Sequence, residues 1–364
     1  MQKQNRRAGD GVGAGAEGAS GCEAAGDFSR DTAQAAPQHP HPLNVPLPPS
    51  TPRPLAGVLA AIALLGLALV GRLQGAGEWP QRVRDALGRE VTIPAAPRRV
   101  ISLTPANTEI LFAIGAGDRV VGVTTWCNFP AEARTRAKVG GFAATTIHLE
   151  TLVALQPDLV VAGDETQRQV IESVARLGFP VLAVKVRDFP ALYAVTEQLG
   201  RLCEAGPAAA ALVAGLRRRV DAVVARSAGI PADRRPRVYW EVFDAPVMSA
   251  GRGSMIGQLI ELAGGVNVFA DVREEYPQVS TEAVVARAPE VILGPDMIDG
   301  GALTVARLRA RPGWSAIPAV RTGRVHVLPA DPTSRPGPRL VDGLELVAAV
   351  LYPPLPSNAE GRQP

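Results

Sequence analysis

Residues 150–160 read E-T-L-V-A-L-Q-P-D-L-V, and residues 282–292 read E-A-V-V-A-R-A-P-E-V-I. Glu, Val, Ala and Pro return at identical spacing, and most other positions are similar in character. Each copy opens on an acidic residue, follows a helical pattern, meets a proline that cannot extend a helix, and passes into an apolar strand. Common helix–proline–strand grammar could give such a match. The alternative it suggests is two lobes of related construction, each with a glutamate at the start of the same helix.

The flanking sequence extends this rhythm. RVISL (99–103) reads as a strand and leads into TPANTEILFAIGAG, where Thr104 can cap a helix with Pro105 in its first turn and glycines at its end. VVGVT (120–124), DLVVA (158–162) and PVLAV (180–184) read as further strands, with helices at 149–156 and 166–178. After a long helical stretch over 188–228 the pattern resumes with RVYWEVF (237–243), a helix from Ser254 to Ala263, VILG (291–294), RVHVL (324–328) and a closing helix around 339–351. Strands alternating with helices imply parallel βαβ units with right-handed crossovers. The expected fold is α/β: two βα lobes with central parallel-rich sheets, joined by a single long helix. The expected division is an N-terminal extension (1–53), an apolar segment (54–72), a linker with the first strands (73–96), one lobe (97–190), the inter-lobe helix (191–230), a second lobe (236–352) and a tail (353–364).

The 364 residues suffice for two domains, and 46% hydrophobic with 20% charged residues is a globular composition. A net charge of +3 gives no reason to expect a nucleic-acid partner. Residues 1–53, rich in Ala, Gly, Pro and Gln, have no periodicity with which to build a core. The uncharged run Leu55–Gly71, flanked by Arg53 and Arg72, reads as the apolar core of a secretory signal or a short membrane anchor. Export to the periplasm is expected either way. The leader is longer than usual, which suggests translation starting near Val45, and no Cys follows the run to carry a lipid. Cys127 and Cys203 could pair in an oxidising compartment or remain two buried thiols.

Catalytic signatures are missing. There is no P-loop, dinucleotide fingerprint, G-x-S-x-G or Cys-x-x-Cys, and GRGSMIG (251–257) reads as a turn opening a helix. Beyond residue 41 only His148 and His326 remain, too few for a dedicated transition-metal site. What stands out is a set of aromatic and charged residues, most of them in loops after strands: Trp126, Asn128 and Phe129; Phe142; Tyr239 and Trp240; Tyr276; Asp331 and Arg335. Ligands of open α/β sheets settle beyond the carboxyl ends of the strands, where aromatics offer flat apolar area and Asp or Arg fix polar groups.

Across residues 97–352 the chain resembles the periplasmic cobalamin-binding proteins of ABC importers, within the wider family that also binds iron–siderophores. The stretches that carry this are RVISLTPANTEILFAIGAGDRVVGVTTWCNFPAEA, HLETLVALQPDLVVAGDETQRQVIESVARLGFPVLAV, YPQVSTEAVVARAPEVILG and DPTSRPGPRLVDGLELVA. The resemblance implies a non-enzymatic binding protein whose ligand, cobalamin or another corrinoid, lies between the lobes. It places Trp126, Phe129, Phe142 and Tyr276 in stacking loops and Asp331 and Arg335 at the corrin rim. Relatives often carry Trp where Phe142 stands. Glu150 and Glu282 match the pair that docks onto arginines of the two symmetric permease subunits. A two-fold permease presents the same basic patch twice, so a monomeric partner needs one acid on each lobe. A siderophore or haem receptor is the alternative within the class, because Arg335 and Arg339 would suit an anionic ligand. A helix between the lobes predicts small closure onto a largely pre-formed cleft.

Overall fold

The computed structural model describes residues 78–296 and 303–353. The N-terminal extension, the apolar run Leu55–Gly71 and all of the tail but Pro353 lie outside the described residues. A hairpin of β1 (Gln81–Arg84) and β2 (Glu90–Ile93) is the first element of the described residues. Its turn is closed by Asp85, which accepts from the backbone N–H groups of Leu87 and Arg89 and from the Arg89 guanidinium. Arg89 also donates to the Val181 carbonyl at 3.0 Å, tying the hairpin to the first lobe.

That lobe is a five-stranded, all-parallel sheet in the order β5-β4-β3-β6-β7. Its strands are β3 (Val100–Ser102), β4 (Val120–Val123), β5 (Ala137–Lys138), β6 (Leu159–Ala162) and β7 (Val181–Ala183). Thr104 caps the helix Pro105–Ala113 as the sequence suggests, its Oγ1 accepting from the Asn107 N–H. In the second lobe β8 (Arg237–Trp240) is followed by the small hairpin β9 (Phe243–Asp244) and β10 (Val247–Met248), then by β11 (Val266–Asn267), β12 (Val291–Pro295) and β13 (Val325–Leu328). Strands β11-β8-β12-β13 form a four-stranded parallel sheet. The α/β class with parallel-rich sheets is thus as expected.

Side chains along each central strand alternate between two cores, as period-2 geometry requires of a sheet covered on both faces. Val100, Leu159, Val161, Val238, Trp240, Val291 and Leu293 join one apolar cluster that runs through both lobes. Ile101, Val160 and Ala162 turn into a second cluster within the first lobe, and Tyr239 and Ile292 into a third within the second.

The connection between lobes corrects one expectation. Residues 191–230 are not one helix: Phe189–Leu202 ends at Cys203, Glu204 takes a left-handed φ of 51°, and a new helix runs from Gly206 to Ala228. Pro207 in the first turn of the second helix is the reason, since its ring and missing N–H bar helix from continuing through it. The two helices pack together with Gly200 against Ala209, so closely that a Cβ on Gly200 would stand 2.3 Å from the Ala209 Cβ. The Gly206–Ala228 helix also packs on Met255–Leu262 and Leu340–Leu351 of the second lobe. Arg219 holds the latter, reaching Glu345 Oε2 and Asp342 Oδ1 at 2.6 Å each.

The Gly200–Ala209 approach generates a test. Alanine should favour the helix by about 1 kcal/mol over glycine, but G200A overlaps Ala209 and should lower unfolding stability by about 1–2 kcal/mol. A209G in the same chain should recover most of the loss in urea denaturation. A more stable single variant would show that the helices separate freely.

Candidate functional site

Every exposed aromatic among the described residues is one the sequence singled out: Trp126 (56% exposed), Phe129 (44%), Phe142 (42%) and Tyr276 (40%). Such rings are costly to leave in water, and each stands on a loop that the fold pins from below.

Trp126 and Phe129 follow β4. Cys127 between them is buried, its Sγ 3.2 Å from the Thr108 hydroxyl and 3.1 Å from the Thr124 hydroxyl, which fastens the loop to the helix Pro105–Ala113. The Thr125 N–H donates to the Gly140 carbonyl at 2.8 Å, joining this loop to the one that bears Phe142. Gly140 has φ 110°, and a Cβ there would meet the Thr146 carbonyl oxygen at 2.0 Å, so only glycine serves. Gln167, fully buried, joins three strand-end loops: its Nε2 donates to the carbonyls of Leu103 and Phe142, and its Oε1 accepts from the Gly163 N–H. In the second lobe the Tyr276 loop is held on both sides, with Gly251 N–H bonded to the Glu275 carbonyl and Ser249 N–H to the Pro277 carbonyl. GRGSMIG is the expected turn, Ser254 capping the Gly257 N–H at 2.9 Å. Its Gly251 allows the loop to approach, since a Cβ would lie 2.0 Å from the Glu274 carbonyl oxygen.

Charged residues join the two lobes. From the first come Glu109, Asn128 and Phe129; from the segment after β13 come Asp331, Arg335 and Arg339. Arg339 forks onto Glu109, with Nε 3.0 Å from Oε2 and Nη2 2.6 Å from Oε1, and its guanidinium carbon lies 4.1 Å from the Phe129 ring centre. Arg335 pairs with Asp331 at 2.7 Å and donates to Asn128 Oδ1 at 2.6 Å, while Asn128 Nδ2 donates to Asp331 Oδ2 at 3.3 Å. Burial pushes the Glu109 carboxyl above its ordinary value, with the Arg339 and Arg335 guanidiniums pulling the other way. Asp331 and Arg335 therefore meet the first lobe. Glu109 was missed, although one signal was present: the single charge on the helix PANTEILFA stands next to the apolar run ILFA, and a charge buried there needs a counter-ion.

Tyr239 and Trp240 are corrected: neither faces a ligand. Both are fully buried in the central strand β8, and alternation sends them to opposite cores. Tyr239 packs edge-on against Phe269 and Trp314 and donates its hydroxyl to Glu241, itself paired with Arg311. Of the two states left open for the cysteines, the structure shows the second. Cys127 and Cys203 are both free and buried, and burial raises the Cys203 thiol to about 11.

Glu150 and Glu282 occupy equivalent, exposed places in the first turns of Leu149–Ala154 and Thr281–Ala286. The repeat extends into the bonding around them. Gln156 and Ala288 take φ 45° and 41° before their prolines. Arg99 donates to the Leu155 carbonyl at the end of one helix and Arg237 to the Arg287 carbonyl at the end of the other. Asp158 accepts from the Arg99 N–H as Glu290 does from the Arg237 N–H. Backbone and hydroxyl donors hold the Glu282 carboxyl below its ordinary value.

Two parallel-sheet lobes joined through a pair of packed helices, with aromatic and charged loops at the strand ends, define a bilobal solute-binding protein. The family model described as periplasmic binding protein matches residues 100–332, and the chain belongs to that family. It is 30% identical over 314 residues to the uncharacterized ABC transporter substrate-binding lipoprotein YvrC of Bacillus subtilis, covering 82% of this chain and 97% of that one. The structure of a periplasmic vitamin B12 binding protein from Vibrio cholerae is similar, with TM-score 0.61 and 27% identity over 70% of this chain and 97% of that one. So is the periplasmic heme-binding protein RhuT of Roseiflexus, with TM-score 0.62 and 25% identity over 70% and 98%. Among the described residues no helix is long and apolar enough to cross a membrane.

Native and unfolded alkylation of the full chain checks the cysteine assignment. Without reductant, peptides bearing Cys127 and Cys203 should stay unlabelled at pH 8 and become fully labelled in guanidinium, because a thiol buried in apolar surroundings is out of the reagent's reach. A peptide pair linked through these residues would contradict the structure.

Proposed function

We propose that the chain is an extracytoplasmic binding protein that captures a corrinoid, cobalamin or a close relative, and delivers it to an ABC importer without acting on it chemically. The observations that support this most are four exposed aromatic rings on loops of both lobes and a polar rim in which Asn128, Asp331 and Arg335 bond across the lobes. A corrin is a broad, weakly polar ring edged by amides. Flat rings suit its faces and alternating donors and acceptors suit its edge.

The second reading is a haem or ferric-siderophore receptor, favoured by Tyr276, a partly exposed residue whose phenol is a group able to ligate ferric iron. Titration of the protein with cyanocobalamin, followed by calorimetry and visible absorbance, should give saturable one-to-one binding. W126A and F142A should each weaken it about tenfold, the loss of one stacked ring. No response to cyanocobalamin, with haemin bound through a visible band that Y276F abolishes, would replace the first reading by the second.

Glu150 and Glu282 serve as the two docking acids for a two-fold permease. Their support is the repeated clamp of Arg99 with Asp158 and Arg237 with Glu290, which presents one exposed carboxylate in the same setting on each lobe. Fixed, complementary charges set orientation and encounter rate. In reconstituted vesicles E150K/E282K should abolish uptake while ligand affinity stays within twofold of the parent. Uptake at the parental rate would remove these residues from the interface.

A further inference from the structure

Where the lobes meet, two carboxylates and two guanidiniums balance: Glu109 and Asp331 against Arg335 and Arg339. They differ in what they show to solvent. The side chains of Asp331, Arg335 and Arg339 retain 34%, 17% and 21% of their exposure, whereas that of Glu109 retains 2%. Glu109 thus stands behind the rim, within the structure and out of a ligand's reach. Arg134, which donates to the Asn128 carbonyl, is exposed and screened by water.

We infer that Glu109 is a specificity-determining residue for ligand charge: by neutralising Arg339 from behind, it leaves the rim with no net charge and turns it from carboxylate-bearing ligands toward neutral, amide-bearing ones. This rests on the reading that the ligand binds at that rim. Without Glu109, two arginines facing one aspartate would leave one uncompensated guanidinium. A guanidinium bonds a carboxylate through two parallel N–H donors, so the spare fork would recruit an anionic ligand. With Glu109 present that fork is already filled, and both hydrogen-bonding edges used are inside the protein. The remaining polar atoms facing outward are those of a mixed donor and acceptor rim, Asn128 and Asp331 included. A carboxylate approaching it meets Asp331 as well as Arg335 and gains no net attraction.

Glu109 also steadies Arg339 beneath Phe129, so its loss would loosen the site as well as recharge it. Two ligands of one shape separate these effects. Cyanocobalamin and its monocarboxylic acid, in which one side-chain amide is hydrolysed, differ by a single negative charge. Loosening weakens both alike; recharging changes only their ratio. In E109Q the preference for the neutral corrinoid should fall by roughly three- to tenfold, the reach of one partly screened charge. That shift should shrink as salt rises. R339Q should move the ratio the other way, and E109Q/R339Q should return it close to the parental value. An E109Q that lacks a cooperative unfolding transition leaves the decision to R339Q, whose ratio must rise. An unchanged ratio in a folded variant, whatever happens to the two affinities, overturns the inference and leaves the corrinoid reading intact. Binding of neither corrinoid by the parent protein removes that reading and the inference with it.

Discussion

A strand packed by helices on both faces has no side chain to spare. That constraint arranges everything else in this molecule. Along β3, β6, β8 and β12 successive residues enter opposite cores, so whatever meets a ligand must stand where the strands stop. Tyr239 and Trp240 illustrate the rule from within: they are large and aromatic, yet the alternation consumes both. Trp126, Phe129, Phe142 and Tyr276 lie past strand ends and remain exposed. Their loops are not loose. Buried polar groups such as Gln167 and Cys127 satisfy the backbone and hydroxyl groups beneath them, and two glycines admit close backbone approaches. Ordering the loops in advance removes part of the entropy that a ligand would otherwise have to overcome.

The charged contact between lobes obeys a different balance. Taking Glu109 out of water is costly, and a buried ion pair seldom returns that cost as stability. Its worth lies in geometry. The fork from Arg339 fixes a guanidinium whose other face lies on Phe129, and Arg335 links Asp331 to Asn128. The bonds that Arg339 makes to Glu109 and Arg335 to Asn128 each join residues more than 200 positions apart, so the polar rim is complete only once both lobes have folded and met.

Much of this was legible in the chain before any coordinates. The repeated helix–proline–strand unit disclosed the two lobes, and it persists to the level of matching arginine clamps at Arg99 and Arg237. Residues such as Trp126 and Phe142 could be selected because aromatics are scarce here and these fall after strands. Failures came where one-dimensional pattern has no access to three-dimensional competition. The helical character of 188–228 is real on both sides of Pro207, and only the left-handed Glu204 shows that the chain folds back to pack Gly200 on Ala209. VYWEVF displays its aromatics prominently, but whether a strand is central or marginal depends on its neighbours β11 and β12. Cys127 and Cys203 could not be assigned from spacing, since each is held by its own surroundings. Glu109 went unselected because its partner lies 230 residues away.

The same arrangement bears on how far the lobes can move. One apolar cluster continues from β3 through the Phe189–Leu202 and Gly206–Ala228 helices into β8 and the closing helix Leu340–Leu351. Wide opening would have to expose part of it. Each additional 100 Å² or so of apolar surface costs about 2.5 kcal/mol, which lowers the population of the open form by a factor of about sixty. It would also separate Arg339 from Glu109 and strand a carboxylate with 2% exposure beside an empty partner position. Both terms oppose hinge motions of the size flexible strand linkers allow. Rocking small enough to keep the shared core intact avoids both terms, and the strand-end loops already stand in place to meet what enters. The contacts that make the rim precise are therefore the same ones that a wide opening would have to break.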